Sequence, residues 1–99
     1  MDRGILTVCY ARPTGTLTEE SALSTLKEFY AGQPFVRVVK HLPATKDTAH
    51  TNFIDITPRI VRSRLLLISA EDNLIKGASG AAVQNFNLMY GFPETTALL

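Results

Sequence analysis

The sequence predicts an α+β fold with a mixed or mostly antiparallel sheet and helices packed on it, in the order strand, helix, strand, strand, strand, helix. Three observations predict it. Four short segments are rich in β-branched and aromatic residues, and two longer segments repeat apolar residues at spacings of three and four. Three of the predicted strands follow one another without an intervening helix. The 99 residues contain no internal repeat or linker, so they form one domain at most.

The first strand is predicted over residues 4–11 (GILTVCYA). Alternation places Ile5, Thr7, Cys9 and Ala11 on one face and Leu6, Val8 and Tyr10 on the other. Both faces are largely apolar, so both should be covered, which in so short a chain indicates a partner beyond it. Cys9 is interpreted as a small buried hydrophobic residue, because the strand offers its thiol neither a base nor a helix N-terminus.

The first helix is predicted to begin at a Thr18 cap, with Glu19 and Glu20 in its first turn on a solvated face. Gly32 is expected to end the helix and Pro34 to prevent a restart. The apolar stripe of this helix consists of Ala22, Leu23, Leu26, Phe29 and Tyr30.

The middle of the chain is predicted to contain three further strands and one long connection. The second strand covers residues 35–39, and residues 40–51 form a polar connection of a length that is often functional. The third strand alternates over residues 52–60 and is expected to stop at Pro58. After a turn at residues 62–64, the fourth strand covers residues 65–70.

The last quarter of the chain, residues 72–96, is predicted to hold the closing helix. Gly77 and Gly80 should lie at its start, and Gly91 and Pro93 should end it. A stripe of mostly small side chains follows helical spacing: Ala78, Ala81, Ala82, Val83, Phe86 and Met89. Two interpretations stay open. The helix is either a packing element that allows close contact, or its start meets a phosphate-bearing ligand or cofactor.

Composition and motif spacing exclude several classes of function. A net charge of +1 indicates no nucleic-acid surface, and the longest apolar run, residues 65–70, is far too short to span a membrane. No long apolar region follows Met1, so no signal peptide is expected, and the single cysteine fits a cytoplasmic location. The histidines at positions 41 and 50 lie nine residues apart and form no metal-binding pattern. No catalytic group is assignable from spacing. Lys46 could bind a carboxylate or phosphate, or it is simply solvated.

Several segments, in order along nearly the whole chain, resemble the N-acetyl-γ-glutamyl-phosphate reductase family. They are residues 72–80 (DNLIKGASG), continued at 82–85 and 87–89, the close at 91–96 (GFPETT), the opening at 1–7, and shorter matches within 30–38, 43–46 and 51–52. The resemblance implies part of a glyceraldehyde-3-phosphate-dehydrogenase-like C-terminal domain. It also implies an enzyme of arginine biosynthesis that reduces an acyl phosphate to a semialdehyde with NADPH, through a thioester on a cysteine.

The family's Gly-Cys-Tyr-Pro-Thr and His-Arg-His motifs do not occur in this sequence, and neither does the Gly-rich loop of its Rossmann domain. Residues 1–99 are therefore expected to be a single partial domain, the C-terminal dimerisation domain fragment, with no catalytic residue of its own. Cys9 is not taken as the nucleophile. We expect the chain alone to be inactive, with NADP bound mainly by the missing nucleotide domain.

The resemblance nominates Asn73, Lys76 and Gly77 as cofactor-binding residues and Lys46 as a substrate-binding residue. It also implies a homo-oligomer that forms through the sheet. Thr48 and His50 stand where the family pattern has valine and glycine, and Ala81 replaces a usual glutamine. The alternative function is a non-catalytic dimerisation or interaction module with the same fold.

Overall fold

The computed structural model describes residues 3–99, so the sequence matches at Met1 and Asp2 lie outside the described residues. Its elements are β1 (Ile5–Ala11), α1 (Glu19–Phe29), β2 (Val36–Val38), α2 (Thr45–Thr48), β3 (Ile54–Val61), β4 (Arg64–Glu71), a π-helical turn (Ile75–Ser79) and α3 (Gly80–Met89). The sheet order is β1-β4-β3-β2, with β2 and β3 parallel and the other pairs antiparallel. The predicted α+β class with a mixed sheet is confirmed. The short helix α2 and the π-helical turn were not predicted.

The hairpin between β3 and β4 organises the sheet. Val61 pairs with Arg64, so only two residues, Arg62 and Ser63, make the turn. Both have positive φ, 51° and 63°, the conformation that a two-residue hairpin requires. The predicted turn over residues 62–64 therefore lies in the right place, although neither turn residue is a glycine.

The prediction that the third strand ends at Pro58 is wrong, because β3 continues through Pro58 to Val61. Ile54 donates its N–H to Phe35, and Ile56 accepts from Val39, so both point toward β2. By alternation Pro58 faces the same side, where β2 has already ended. Its missing N–H therefore breaks no ladder hydrogen bond, and the strand tolerates it.

Helix α1 begins at the predicted cap. The hydroxyl of Thr18 accepts from the Ser21 N–H at 3.1 Å, and Ser21 Oγ accepts from the Thr18 N–H at 3.2 Å, so a serine replaces the carboxylate of the usual capping box. Glu19 remains exposed but accepts the Ile60 N–H at 2.9 Å, which ties the helix to β3. Of the predicted apolar stripe, Ala22 is buried, whereas Phe29 is exposed.

The apolar core is small, and polar side chains fill much of the interior. Among the described residues, the buried hydrophobic side chains are Ala22, Phe35 and Ala70, and the buried polar ones are Thr48, Asn52, Asp55, Thr57, Asp72 and Asn87. Strand β1 is exposed along its whole length in the single chain, so residues 3–99 do not supply the cover expected for its two faces. Cys9 is accordingly exposed, so the interpretation of it as a buried residue is wrong for this chain.

Helix α3 turns a polar face inward. Gly80 and Asn87 are buried and Gln84 is partly buried, while the predicted stripe is mostly exposed, with Phe86 at 52% and Met89 at 78%. Asn87 donates to the carbonyls of Glu94 and Thr96, so the C-terminal segment folds back along the inner face. The helix packs inside the chain through Gly80 and amide side chains and not through the predicted small-residue stripe.

Candidate functional site

The carboxylate of Asp72 is the centre of the candidate site. It is fully buried, and both oxygens accept hydrogen bonds. Arg3 donates Nε to Oδ1 at 3.0 Å and Nη2 to Oδ2 at 2.7 Å; the backbone N–H of His50 donates to Oδ2 at 2.6 Å and that of Leu74 to Oδ1 at 2.9 Å. Burial alone would raise the pKa of Asp72, but the hydrogen bonds and the charge of Arg3 lower it to about 2. Asp72 is therefore ionised at neutral pH and joins three chain segments.

Asn73 follows this anchored residue, and of its side-chain amide only the oxygen is hydrogen-bonded within residues 3–99. Its Oδ1 accepts the Gly4 N–H at 2.7 Å, which fixes the orientation of the amide. Its Nδ2 donates to no acceptor within residues 3–99. A primary amide held by its oxygen, with its nitrogen unengaged, can donate to the carbonyl of a ligand.

Lys76 and Gly77, the other two predicted cofactor-binding residues, take part in local contacts. Lys76 Nζ donates to Gln84 Oε1 at 2.8 Å and lies 5.7 Å from the centre of the Phe35 ring. The Gly77 N–H donates to the Asp72 carbonyl at 3.1 Å, and this carbonyl also accepts the Ile75 N–H at 3.3 Å.

The start of the last helix differs from the prediction. The helical run begins with the π-helical turn at Ile75, so Gly80 lies inside it and is buried. Two N–H groups of the first turn are already bonded to Asp72. An anion at Gly77 to Gly80 would find fewer free donors than an open helix N-terminus offers.

A buried amide network joins the last helix to the loop before β3. Asn52 Nδ2 donates to Gln84 Oε1 at 3.1 Å, and Gln84 Nε2 donates to Glu94 Oε2 at 2.5 Å. A lysine only donates and a carboxylate only accepts, so Lys76 and Glu94 fix the orientation of both amides. Asn52 Oδ1 is consequently left without a hydrogen-bond partner, pressed against Gly80.

Lys46, the predicted substrate-binding residue, is exposed on α2. The preceding residue, Thr45, packs against Gly4: a Cβ built on Gly4 would lie 2.7 Å from the Thr45 Cβ. Gly4 also has a φ of 123°, which side chains rarely adopt. The structure thus brings the segments of Lys46 and Asn73 to the same glycine. His41 does not join them, and within residues 3–99 no three His, Cys, Asp or Glu side chains form a metal-binding group.

The loop after α2 contains the two residues that differ from the family pattern. Thr48, at the family's valine position, is fully buried, and His50, at the glycine position, has a φ of 63°. The backbone N–H of His50 is the donor to Asp72. The left-handed backbone of His50 accompanies this hydrogen bond, and glycine adopts that conformation more readily than histidine.

His50→Gly should stabilise the chain by about 0.5–1 kcal/mol, because a left-handed non-glycine residue costs roughly 1–2 kcal/mol and the flexibility of unfolded glycine cancels part of the gain. Thermal unfolding followed by circular dichroism measures the effect as a rise of a few degrees, on the order of 4 °C. Ala49→Gly is the matched control: its φ of −56° suits alanine, so the control should lower the midpoint. An equal fall of the unfolding midpoint in the two variants would contradict the left-handed conformation assigned to His50.

The sequence analysis predicted a cofactor contact at Asn73 and named none of the residues that hold its side chain. Arg3, Gly4 and Asp72 form the anchor, and Asn52 and Gln84 form the amide network. The available signals were a carboxylate directly before Asn73 and a glycine directly before β1, but their pairing across 69 residues is visible only in the fold.

Comparison with known proteins shows the family to which the chain belongs. The family model for the semialdehyde dehydrogenase dimerisation domain matches residues 1–73, and the chain belongs to this family. Curated relatives named N-acetyl-gamma-glutamyl-phosphate reductase are 49% identical to it: that of Rhodopirellula baltica over 100% of this chain, and those of Geobacter metallireducens and Thermus thermophilus over 99%. The resemblance inferred from the sequence is confirmed.

The chain spans about 30% of the length of these relatives, 30% for the first two and 29% for the third. Their names indicate an oxidoreductase family, and the matched family model is that of a dimerisation domain. None of the helices in the described part of the chain is both long and apolar enough to cross a membrane.

Proposed function

We propose that this chain is the C-terminal part of an N-acetyl-γ-glutamyl-phosphate reductase, which reduces an acyl phosphate to its semialdehyde with NADPH in the arginine pathway. Residues 1–99 are then a single partial domain of a cytoplasmic enzyme, without the Rossmann domain. The observation that carries the proposal is Asn73: within the DNLIKGASG segment, a buried ion pair anchors the residue before it, and its amide nitrogen is unengaged.

The described residues fit one end of a nicotinamide cofactor. The cofactor supplies a hydride for the reduction when it is bound. Asn73 would hold the nicotinamide end through its Nδ2, which is left to donate because its Oδ1 already accepts the Gly4 N–H. Lys76 and Gly77 shape the turn beside it and remain predicted cofactor contacts. Lys46 remains the predicted substrate contact, on the segment that packs against Gly4.

Two exposed apolar surfaces support the larger protein that this proposal requires. One is β1, whose side chains Ile5, Leu6, Val8 and Tyr10 are between 41% and 74% exposed. The other is the outer face of α3, where Phe86 lies 4.7 Å from Tyr90 and 6.1 Å from Phe92 between ring centres. We assign the sheet to a second copy of the chain and α3 to the nucleotide domain. Sedimentation at high concentration tests the first assignment; a monomer would contradict it.

The isolated chain should not oxidise NADPH in the presence of an acyl phosphate, because the thioester requires a cysteine motif that the sequence lacks. The assay follows NADPH absorbance with chain concentration varied. Turnover by the chain alone, abolished in Cys9→Ser, would overturn this proposal and make Cys9 the nucleophile. The alternative function is a non-catalytic interaction module. It predicts that the chain self-associates and that Asn73 substitutions do not change the turnover of a reductase that contains the chain.

A further inference from the structure

We infer that Arg3, Gly4 and Asp72 are positioning residues, which hold the Asn73 side chain by its oxygen and keep its amide nitrogen directed to a ligand carbonyl. The inference rests on the proposed function, which assigns Asn73 to the cofactor, and it adds the groups through which that residue is placed. We call the four residues the Asn73 clamp.

The first half of the clamp is electrostatic. Asp72 is a fully buried carboxylate whose two oxygens accept from Arg3, His50 and Leu74 at 2.6 to 3.0 Å. A buried charge with all of these donors cannot shift without leaving groups unpaired. The backbone at residue 72 is therefore fixed against the start of β1, the loop after α2 and the π-helical turn.

The second half of the clamp is the Gly4 N–H. Gly4 follows Arg3 as Asn73 follows Asp72, so two adjacent residues of each segment are paired side by side. The N–H of Gly4 can bond only to the oxygen of the Asn73 amide, which leaves Nδ2 on the other side. An acceptor such as a ligand carbonyl would complete the hydrogen bonding of Asn73.

Gly4 also lies in contact with the segments that carry two predicted binding residues. Any side chain at this position would meet Thr45 at 2.7 Å, and its φ of 123° disfavours other residues. Lys46 follows Thr45 on α2, so the predicted substrate-binding residue and the predicted cofactor-binding residue lie on segments that both pack against Gly4.

Amide hydrogen exchange of the ¹⁵N-labelled 99-residue chain tests the clamp at Gly4. Asn73→Asp keeps an oxygen for the Gly4 N–H and should leave its protection within about twofold of the wild type, whereas Asn73→Ala should reduce it at least about tenfold. Asp72→Asn should reduce Gly4 protection by about fivefold or more, because Asn73 is no longer anchored. The Ile54 amide, bonded to Phe35 in the sheet, is the internal control and should not change.

Unchanged Gly4 protection in Asp72→Asn, with Ile54 still protected, would overturn the inference. If Asp72→Asn does not fold, Arg3→Lys decides it: the charge remains but the two-nitrogen fork is lost, so Gly4 protection should fall by about threefold or more while Ile54 stays protected. Protection equal to that of the wild type would overturn it.

A second readout separates the clamp from the proposed function. Reduced nicotinamide mononucleotide, titrated into the labelled chain, should shift the Asn73 side-chain NH₂ signals in the wild type and not the signals of other asparagines. No shift, combined with the expected Gly4 exchange results, would count against the cofactor role of Asn73 and leave the clamp supported.

Discussion

Gly80→Ala should destabilise the chain by about 2 kcal/mol, because overpacking costs typically 1–3 kcal/mol and the better helix propensity of alanine returns at most about 1. A Cβ at this position would lie 2.1 Å from Asn52 Oδ1, 2.6 Å from the Ile75 carbonyl oxygen and 2.7 Å from Ile75 Cγ2. Asn52 is 1% exposed and bonded to Gln84, and the Ile75 carbonyl is backbone, so neither can simply move away. The midpoint of thermal unfolding should fall by roughly 8–16 °C.

Gly15→Ala is the matched control, since a Cβ there would meet nothing within 4 Å. Its effect should stay within about 0.5 kcal/mol. Adding Asn52→Ala to Gly80→Ala removes the closest clashing atom, so the double variant should lose less than the sum of the two single changes. Equal stability of Gly80→Ala and Gly15→Ala would show that the helix does not approach Asn52 in this way.

Arg37→Met should destabilise the chain by about 2 kcal/mol, less than the 3–5 kcal/mol of a fully buried pair because the Arg37 side chain is 41% exposed. Arg37 and Asp55 are register partners on the parallel strands β2 and β3. The guanidinium donates Nε to Oδ1 at 2.5 Å and Nη2 to Oδ2 at 3.2 Å, and it lies 4.6 Å from the centre of the Phe53 ring. Removal of Arg37 leaves a buried carboxylate without its counter-charge.

Urea unfolding of four variants tests this pair: Arg37→Met, Asp55→Asn, the double variant that combines them, and a control. Arg64→Met, an exposed arginine on β4, is the control and should change stability by less than about 0.5 kcal/mol. Arg37→Met/Asp55→Asn removes the buried charge together with its partner and should recover part of the loss. If the double variant loses as much unfolding free energy as the two single variants together, charge pairing does not determine the destabilisation by Arg37→Met.

The sequence pattern predicted the elements well where one local rule decided them. Thr18 caps α1 because a hydroxyl at that position bonds the first free N–H, and the hairpin forms because two apolar strands flank a short polar turn. Pro58 shows the limit of such a rule: whether a proline ends a strand depends on where the neighbouring strand stops, which is a property of the sheet.

Much of the candidate site could not be predicted for a similar reason, because its contacts depend on how the strands pair. Resemblance supplied Asn73, but no local pattern pairs it with Gly4, since the two residues meet only when β1 lies beside β4. Helical spacing identified an apolar stripe on α3 but not its direction. Gly80, Gln84 and Asn87 turn inward because the buried polar groups of the loop and the C-terminal segment require partners. The stripe itself is mostly exposed.

The measurement that tests the central claim most directly joins this chain to the rest of a relative. The matching 29% of the Thermus thermophilus reductase, 49% identical, is replaced by residues 1–99, and NADPH oxidation with an acyl phosphate is measured. We expect the hybrid to turn over, the isolated chain to show no turnover, and Asn73→Ala in the hybrid to lower kcat/KM by about tenfold or more. A folded hybrid that binds NADPH without turnover, or one indifferent to Asn73→Ala, would contradict the account.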